Sequence, residues 1–219
     1  MVDPSVLAST RLFAALPPDA VAEVAGHANQ RRLARNDVLF REGDEAGDIY
    51  LVTAGRIAIA NRSIDGRESL VALMGPGDLF GEMSLFDGLG RSADARALEP
   101  STVVVVPFGP VRTVVETRPE TLWNMLALLA ERLRAADEAL ADTVFLDVPG
   151  RTAKRLLELA GTSDEFQLPI TQEELAGMVG ASRERVNKAI SQFVRLGWLT
   201  QSDRRYTIVD REQLMRRAR

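Results

Sequence analysis

From Glu120 to Val148 the chain contains neither glycine nor proline. Apolar or small residues recur there at alternating spacings of four and three: Leu122, Leu126, Leu129, Leu133, Ala136, Leu140 and then Thr143 or Val144. A heptad seam of this length predicts one continuous helix. The seam could pack against the core of its own chain, but its narrowness favours pairing with a second copy, so we expect a homodimer.

The segment before this helix is typical of a β domain. Short β-rich runs alternate with glycine-containing turns; the runs are Val38–Phe40, Ile49–Val52, Ile57–Ala60, Leu70–Leu73 and Val103–Val106. Regular short strands between glycine turns predict an antiparallel barrel or jelly roll. Asp65-Gly66 predicts a hairpin turn within it. Ser5–His27, interrupted by Pro17-Pro18, is predicted to form short helices.

The segment after the long helix has a different pattern. Val148-Pro149-Gly150 is predicted to end the long helix and to form the domain boundary. Beyond it the sequence predicts three helices and a two-stranded end: Arg151–Ala160, Gln172–Val179, Arg183–Leu196 and Leu199–Val209. We therefore expect an α+β chain with a β-roll domain at 1–118, a dimerisation helix at 119–146 and a winged helix-turn-helix at 147–219.

The helix-turn-helix prediction depends on capping residues at three positions. Thr171 can cap the first helix and form a capping box with Glu174, Gly180 can form the turn, and Ser182 can cap the second helix. Apolar residues at helical spacing supply a buried stripe: Leu175, Ala176, Val179, Val186, Ala189, Ile190 and Phe193. An ordinary helical pair with a solvated face explains the stripe but not the caps and the glycine turn.

The second of these helices carries polar residues that suit DNA. It is expected to present Arg183, Glu184, Asn187 and Lys188 to the major groove. Arginine can donate two hydrogen bonds to guanine, and glutamate can accept one from cytosine.

Residues around this helix suit the DNA backbone. The hydroxyls of Thr171 and Ser182 are candidates for phosphate contacts, and Arg204-Arg205-Tyr206 is the predicted wing. Leu146–Arg219 holds thirteen basic and ten acidic residues, a net charge of +3 in a chain whose total is −4. The basic excess therefore lies in the segment that is predicted to bind DNA.

A second motif, Gly77–Phe86 followed by Arg91-Ser92-Ala93, suits an anionic ligand. Glycine allows the backbone to approach an anion, and Arg91 supplies the opposite charge. Ser92 can donate to a phosphate oxygen, and Glu82 can accept from a ribose hydroxyl. Glycines in the ordinary turns of a β domain give a similar pattern. The prediction of a nucleotide site therefore depends on the order of all the residues in the motif.

Composition excludes several other classes of site. The chain has no cysteine, which rules out disulfides, iron–sulfur clusters with cysteine ligands and thiolate zinc sites. The single His27 cannot form a multi-histidine metal site, and no catalytic triad or Walker-type lysine loop is present, so we expect neither a metal nor an enzyme. Met1–Thr10 lacks the apolar core of a signal peptide, and the apolar runs are too short to span a bilayer. We expect a cytoplasmic protein with no membrane partner.

Taken in order, these motifs resemble the cAMP receptor protein/FNR family of bacterial transcription regulators. The resemblance includes Phe145–Val148 at the hinge and Gly180–Val186 in the recognition segment. It implies a cyclic-nucleotide-binding jelly roll, a coiled-coil dimer, a winged helix that reads a palindrome of double-stranded DNA with TGTGA-like arms, and RNA polymerase as a partner. It assigns base contacts to Arg183, Glu184 and Lys188, with lysine where arginine is commoner.

The same resemblance implies cAMP as the ligand and assigns a phosphate-binding cassette that contains Gly81, Glu82, Met83, Ser84, Arg91 and Ser92. The family contacts adenine with a threonine and a serine or asparagine, and this chain has Ala136 and Asp137 at those positions. Alanine cannot form the hydrogen bond, and aspartate brings a charge that is costly to bury. A weakened cAMP response, another nucleotide, ligand-independent DNA binding, or a nucleotide sensor with a protein partner are therefore alternatives.

Overall fold

The computed structural model describes residues 2–14, 16–64 and 68–219. The chain divides into two compact units, with the division between residues 133 and 134 inside the long helix. Residues 68–70 group with the second unit.

The described residues form two four-stranded sheets, which lie in the first unit except for residues 68–70, and their described strand pairs are antiparallel. The strands are β1 (Asn29–Leu33), β2 (Val38–Phe40), β3 (Asp48–Ala54), β4 (Ile57–Arg62), β5 (Glu68–Met74), β6 (Leu79–Phe80), β7 (Asp94–Ala97) and β8 (Ser101–Pro107). Their orders are β1-β8-β3-β6 and β2-β7-β4-β5. The predicted jelly-roll class is thereby confirmed.

The described part of this unit also has four short helices: α1 (Pro4–Ala8), α2 (Pro18–His27), α3 (Met83–Asp87) and α4 (Phe108–Thr117). One core cluster joins α2 and α4 to the sheet that contains β3 and β8, with Val24, Val111 and Val104 almost fully buried. Burial of these apolar side chains stabilises the unit by about 25 cal/mol per Å² removed from water.

The long helix follows a short 3₁₀ turn at Pro119–Thr121 and forms α5 (Leu122–Phe145). This confirms the predicted continuous helix. Met125 is the one buried residue among its described side chains. Most of the large apolar side chains of the seam are exposed in the single chain: Leu122, Leu126, Leu133, Leu140 and Val144.

The end of α5 corrects one prediction. The helix stops at Phe145, before the predicted stop at Val148-Pro149-Gly150, and those three residues form the first turn of the next helix. Asp147 caps that helix by accepting from the Gly150 amide at 2.9 Å. Proline is favoured in a first helical turn because the amide it lacks has no partner inside the helix there. Pro-Gly in the sequence is compatible both with a helix stop and with a first helical turn, and the structure shows the first turn.

The second unit contains the C-terminal helices α6 (Val148–Ala160), α7 (Gln172–Val179), α8 (Arg183–Arg195) and α9 (Arg211–Arg217). Its strands are β9 (Glu165–Gln167), β10 (Leu199–Ser202) and β11 (Arg205–Ile208), in the order β10-β11-β9. The predicted helix-turn-helix and the two-stranded end are confirmed. Strand β9, which pairs with β11 in register Phe166–Tyr206, and the terminal helix α9 were not predicted.

The five predicted β-rich runs all lie in strands, and α1 and α2 confirm the predicted short helices. Strands β1, β6 and β7 were missed because they are polar or short: β1 reads Asn-Gln-Arg-Arg-Leu and is exposed except at Leu33. The predicted Asp65-Gly66 hairpin lies outside the described residues.

The described residues lack two kinds of feature. None of their helices has both the length and the apolarity needed to cross a membrane. In the same residues no three histidine, aspartate or glutamate side chains are grouped as metal ligands would be.

Gly55 and Gly43 allow a matched test of why glycine occupies the turns of the first unit. Both have a positive φ, +79° and +83°, but a Cβ on Gly55 would lie 2.6 Å from the Pro100 carbonyl oxygen, whereas a Cβ on Gly43 would meet open space. We expect Gly43→Ala to lower the free energy of unfolding by about 1–2 kcal/mol, the cost of the left-handed conformation. Gly55→Ala should lower it by about 3 kcal/mol or more, because overpacking adds to that cost. Urea unfolding measures both, and equal losses would contradict the packing argument.

Candidate functional site

The predicted cassette lies in a short stretch of the first unit between two strands. Gly81 follows β6, Glu82 stands at the N-cap position of α3, and Met83 and Ser84 begin that helix. Arg91 comes before β7 and is held there by backbone hydrogen bonds to the loop after β2, since its amide donates to the Asp44 carbonyl at 2.9 Å.

Arg91 is the buried cation of the cassette, with 4% of its surface exposed. Its Nη1 donates to the Gly81 carbonyl and its Nη2 to the Asp48 carbonyl, both at 2.8 Å. The guanidinium carbon lies 4.3 Å from the Phe40 ring centroid and 5.3 Å from that of Tyr50, within the range of cation–π attraction. Nε of Arg91 is buried without a hydrogen-bond partner. Burial lowers the pKa of the guanidinium, which nevertheless stays charged.

Glu82 is fully buried, and neither of its carboxylate oxygens has a hydrogen-bond partner. Arg132 of α5 places Nη1 3.0 Å from Oε1, which is close enough for an ion pair although the geometry is not that of a hydrogen bond. Burial raises the pKa of the Glu82 carboxyl, and the charges of Arg132 and Arg91 offset only part of that effect. A buried carboxylate with free acceptors is suited to receive donors from a ligand.

The remaining cassette residues differ in how accessible their side chains are to a ligand. Ser84 is buried, and its hydroxyl donates to the Gly90 carbonyl at 3.2 Å. Ser92 is exposed, and its hydroxyl contacts the sulfur of Met83 at 3.6 Å. Met83 is itself 44% exposed. Thus Ser84 already has a partner within the protein, whereas Ser92 remains accessible.

Ala136 and Asp137 lie on the part of α5 that belongs to the second unit. Both are exposed in the single chain. The structure does not group them with the cassette in one unit, and their assignment to a base comes from the resemblance alone.

Three residues that contact the cassette were not selected from the sequence: Phe40, Tyr50 and Arg132. The aromatic pair Phe40–Tyr50, with ring centroids 5.5 Å apart, is brought to Arg91 by strands that are distant in sequence. Arg132 lies on α5 and also donates to the Leu79 carbonyl at 2.6 Å. A buried glutamate needs a nearby cation, but no spacing rule indicates which arginine supplies it.

The helix-turn-helix of the second unit has the caps that the sequence predicted. Thr171 and Glu174 form the capping box, with the Thr171 amide donating to the Glu174 carboxylate at 2.7 Å. Gly180 ends α7 with φ +67°, and the Ser182 hydroxyl accepts from the Arg185 amide at 3.4 Å. The Thr171 hydroxyl also donates to Glu174, so it is engaged within the protein.

Helix α8 buries one face and exposes the other. Val186, Ala189, Ile190 and Phe193 are each at most 2% exposed. The predicted DNA-contacting residues lie on the rest of the helix: Arg183, Glu184 and Lys188 are exposed and Asn187 is half-buried. The structure brings these four side chains together at the beginning of the helix.

The predicted wing needs one correction. Arg204 and Arg205 are exposed where a turn joins β10 to β11, and Asp203 in this turn has φ +54°. Tyr206, by contrast, is completely buried, with its ring stacked on Phe166 at 5.6 Å. Alternation along a strand points successive side chains to opposite faces, which turns Tyr206 into the core.

Comparison with protein families matches the two units separately. A family model described as cyclic nucleotide-binding domain matches residues 30–118. A second, described as Crp-like helix-turn-helix domain, matches residues 150–217.

Relatives match over nearly the whole chain. The CRP-like cAMP-activated global transcriptional regulator of Mycobacterium tuberculosis is 39% identical over 98% of this chain and 99% of its own length. The cyclic AMP receptor protein of Thermus thermophilus is 35% identical over 85% of this chain and 86% of its own. Among solved structures, FixK2 of Bradyrhizobium japonicum shares the fold, with a TM-score of 0.79 at 23% identity over 86% of this chain and 96% of its own. The chain therefore belongs to the CRP/FNR family and is a DNA-binding transcription regulator with a cyclic nucleotide-binding domain, not an enzyme.

Proposed function

We propose that the chain acts as a homodimer that binds a cyclic nucleotide in the cassette and then binds a palindromic DNA site with TGTGA-like arms. The observation that carries the ligand proposal is Glu82, a fully buried carboxylate whose oxygens accept no hydrogen bond and which lies beside the partly exposed Arg132. A cyclic nucleotide offers a ribose hydroxyl to the carboxylate and a phosphate to Arg91 and Ser92. One relative described as cAMP-activated and another described as a cyclic AMP receptor protein support cAMP as the first candidate.

The exposed seam of α5 supports the homodimer. Leu126, Leu133 and Leu140 are 53%, 63% and 65% exposed in the single chain and lie one heptad apart. Pairing along this seam would remove them from water, and two copies related by a twofold axis would present two recognition helices to a palindrome. On DNA such a dimer is expected to contact RNA polymerase, and it would act in the cytoplasm.

Ala136 and Asp137 favour a second candidate ligand. At the positions that the resemblance assigns to the base, a carboxylate can accept two hydrogen bonds from the N1–H and N2–H groups of guanine. Adenine offers only its N6 amine on the corresponding edge. The same dimer could therefore respond to cGMP rather than to cAMP.

The proposed function is tested by fluorescence anisotropy with a labelled duplex that carries two TGTGA-like inverted half-sites. Titrations at fixed salt compare protein alone, protein with cAMP and protein with cGMP, and a duplex with one scrambled half-site is the control. We expect several-fold tighter binding with the effective nucleotide and a marked loss on the single half-site. Selective binding that neither nucleotide changes would contradict the ligand proposal, and equal binding to both duplexes would contradict the palindrome-reading dimer.

Arg183→Ala tests the reading of bases. Loss of a paired hydrogen bond to guanine should weaken binding to the palindrome by about 1–3 kcal/mol and relax preference at one base position. Arg195→Ala, an exposed arginine in the last turn of α8, is the matched control and should have a much smaller effect. Fluorescence anisotropy on the palindrome and on a random duplex separates contacts to bases from contacts to the DNA backbone. An equal loss of affinity on both duplexes would assign Arg183 to the backbone.

Glu82→Gln tests the role of Glu82 through the pH dependence of stability and through nucleotide affinity. Because the folded-state pKa of Glu82 is raised, its contribution to stability is full below the ordinary glutamate pKa of 4.5 and is lost as pH rises through the raised value. The amide cannot ionise, and Arg132, one-third exposed, can remain hydrated. We expect Glu82→Gln to raise Tm at pH 7, to leave it little changed at low pH, and to weaken nucleotide binding.

Differential scanning fluorimetry from pH 4 to pH 8 and calorimetric titration with cAMP and cGMP provide these measurements. The control is Glu116→Gln, which removes an exposed carboxylate on α4. A Glu82→Gln protein that is less stable than the wild type at pH 7 would show that Glu82 stabilises the fold through Arg132. Unchanged nucleotide affinity would remove Glu82 from the ligand site.

A further inference from the structure

Met83, the first residue of α3, is open to solvent. It is 44% exposed, and the other exposed methionine among the described residues is Met215 of α9, at 42%. The chain has six methionines and no cysteine, so a peroxide finds no thiol to oxidise. In the described part of the chain, the thioethers of Met83 and Met215 are therefore the accessible sulfur targets.

The Met83 sulfur contacts a residue of the proposed ligand site. Ser92 is exposed, and its hydroxyl donates to Sδ of Met83 at 3.6 Å. A thioether sulfur is only a weak acceptor. A phosphate oxygen carries charge and accepts a stronger hydrogen bond. An incoming phosphate can therefore take the Ser92 hydroxyl away from reduced Met83 at little cost.

Oxidation changes the acceptor that Met83 offers. A lone pair of the sulfur attacks one oxygen of hydrogen peroxide, an S–O bond forms and the O–O bond breaks. The departing hydroxide takes the proton of the transferred oxygen and leaves as water. The sulfur is oxidised by two electrons, and the peroxide is reduced by the same two. The product is methionine sulfoxide, a polar side chain with an oxygen on its sulfur.

The new oxygen is bonded to the sulfur that Ser92 already contacts, so it comes within hydrogen-bond reach of the Ser92 hydroxyl. Its partial negative charge makes it a stronger acceptor than the thioether and also repels a phosphate at the same place. Because Met83 is exposed, its sulfoxide remains in water and the fold is retained. Met125, at 5% exposed, is shielded from the oxidant by the core.

We propose that Met83 is a site of reversible oxidation, and that its sulfoxide competes with the ligand phosphate for the Ser92 hydroxyl and weakens nucleotide binding. The inference rests on the proposed ligand site and adds a form of regulation to it. The oxidant is a peroxide. Methionine sulfoxide reductases return the sulfoxide to the thioether, which makes the modification reversible.

The test treats the full-length protein with hydrogen peroxide and follows the sulfoxides of Met83 and Met215 by peptide mass spectrometry. Calorimetric titration then measures the affinity for cAMP and for cGMP. We expect about a tenfold loss of affinity once Met83 is oxidised, as for one hydrogen bond to a charged group, and recovery after reduction by the reductases. Met215→Leu is the matched control and should lose as much affinity as the wild type.

Two further variants separate the effect of Met83 from that of the other methionines and test the role of Ser92. Met83→Leu has no sulfur at this position, so it should keep, after peroxide, whatever affinity it has before treatment. Ser92→Ala should bind the nucleotide more weakly than the wild type from the start. It should lose little more on oxidation, because the sulfoxide then has no hydroxyl to take.

Unchanged nucleotide affinity of a wild-type protein with fully oxidised Met83 would overturn the proposal, and so would an equal loss in Met83→Leu. A loss in oxidised Ser92→Ala as large as that of the wild type would overturn the role of Ser92. Met83 that stays reduced while Met215 is oxidised would also overturn the proposal, whatever the protein binds. Failure of the untreated wild type to bind either nucleotide would instead count against the proposed function.

Discussion

The hydrogen bonds of the Arg91 guanidinium hold the cassette in place. A buried arginine costs less free energy where most of its donors find acceptors and its charge lies against aromatic rings. Here the acceptors are the carbonyls of Gly81 and Asp48, and the surface is formed by the rings of Phe40 and Tyr50. One side chain thus joins the strand pair around β3 to the turn that precedes α3. The position of Glu82, next in sequence to Gly81, follows from the same attachment.

The second unit is organised by backbone capping rather than by a buried charge. The Thr171–Glu174 box begins α7, Gly180 ends it, and Ser182 begins α8. These caps fix where each helix starts, and the buried face of α8 then fixes how it is rotated. Arg183, Glu184 and Lys188 are exposed because Val186, Ile190 and Phe193 have to be buried. The chemistry of the recognition face is therefore separate from the stability of the unit.

Much of this architecture could be predicted because it depends on local patterns. The heptad seam, the caps of α7 and α8 and the five apolar strands each follow from spacing within one segment. Strand β1 could not be predicted in this way, since an exposed polar strand takes its conformation from its neighbours. Pairings such as Glu82–Arg132 and Gln172–Tyr206 join residues that are distant in sequence, and only the folded chain shows which partner each polar group finds. Tyr206 was placed at the wing because a basic turn precedes it, although strand alternation points it inward.

The capped start of α6 has a mechanical consequence. Only Leu146 and Asp147 separate α5 from α6, so any change of angle between the two helices has to be taken up by about four backbone dihedral angles. The Lys154 ammonium forms an ion pair with Asp142 at 2.7 Å, and Arg151 donates to the Leu146 carbonyl at 2.7 Å. Both contacts restrain bending at the two-residue elbow between α5 and α6. Helix α6 is 13 residues long, roughly 20 Å, so a tilt of about 15° at the elbow displaces its far end by about 5 Å. A tilt of that size would therefore move the far end of α6 by more than the rise between neighbouring base pairs.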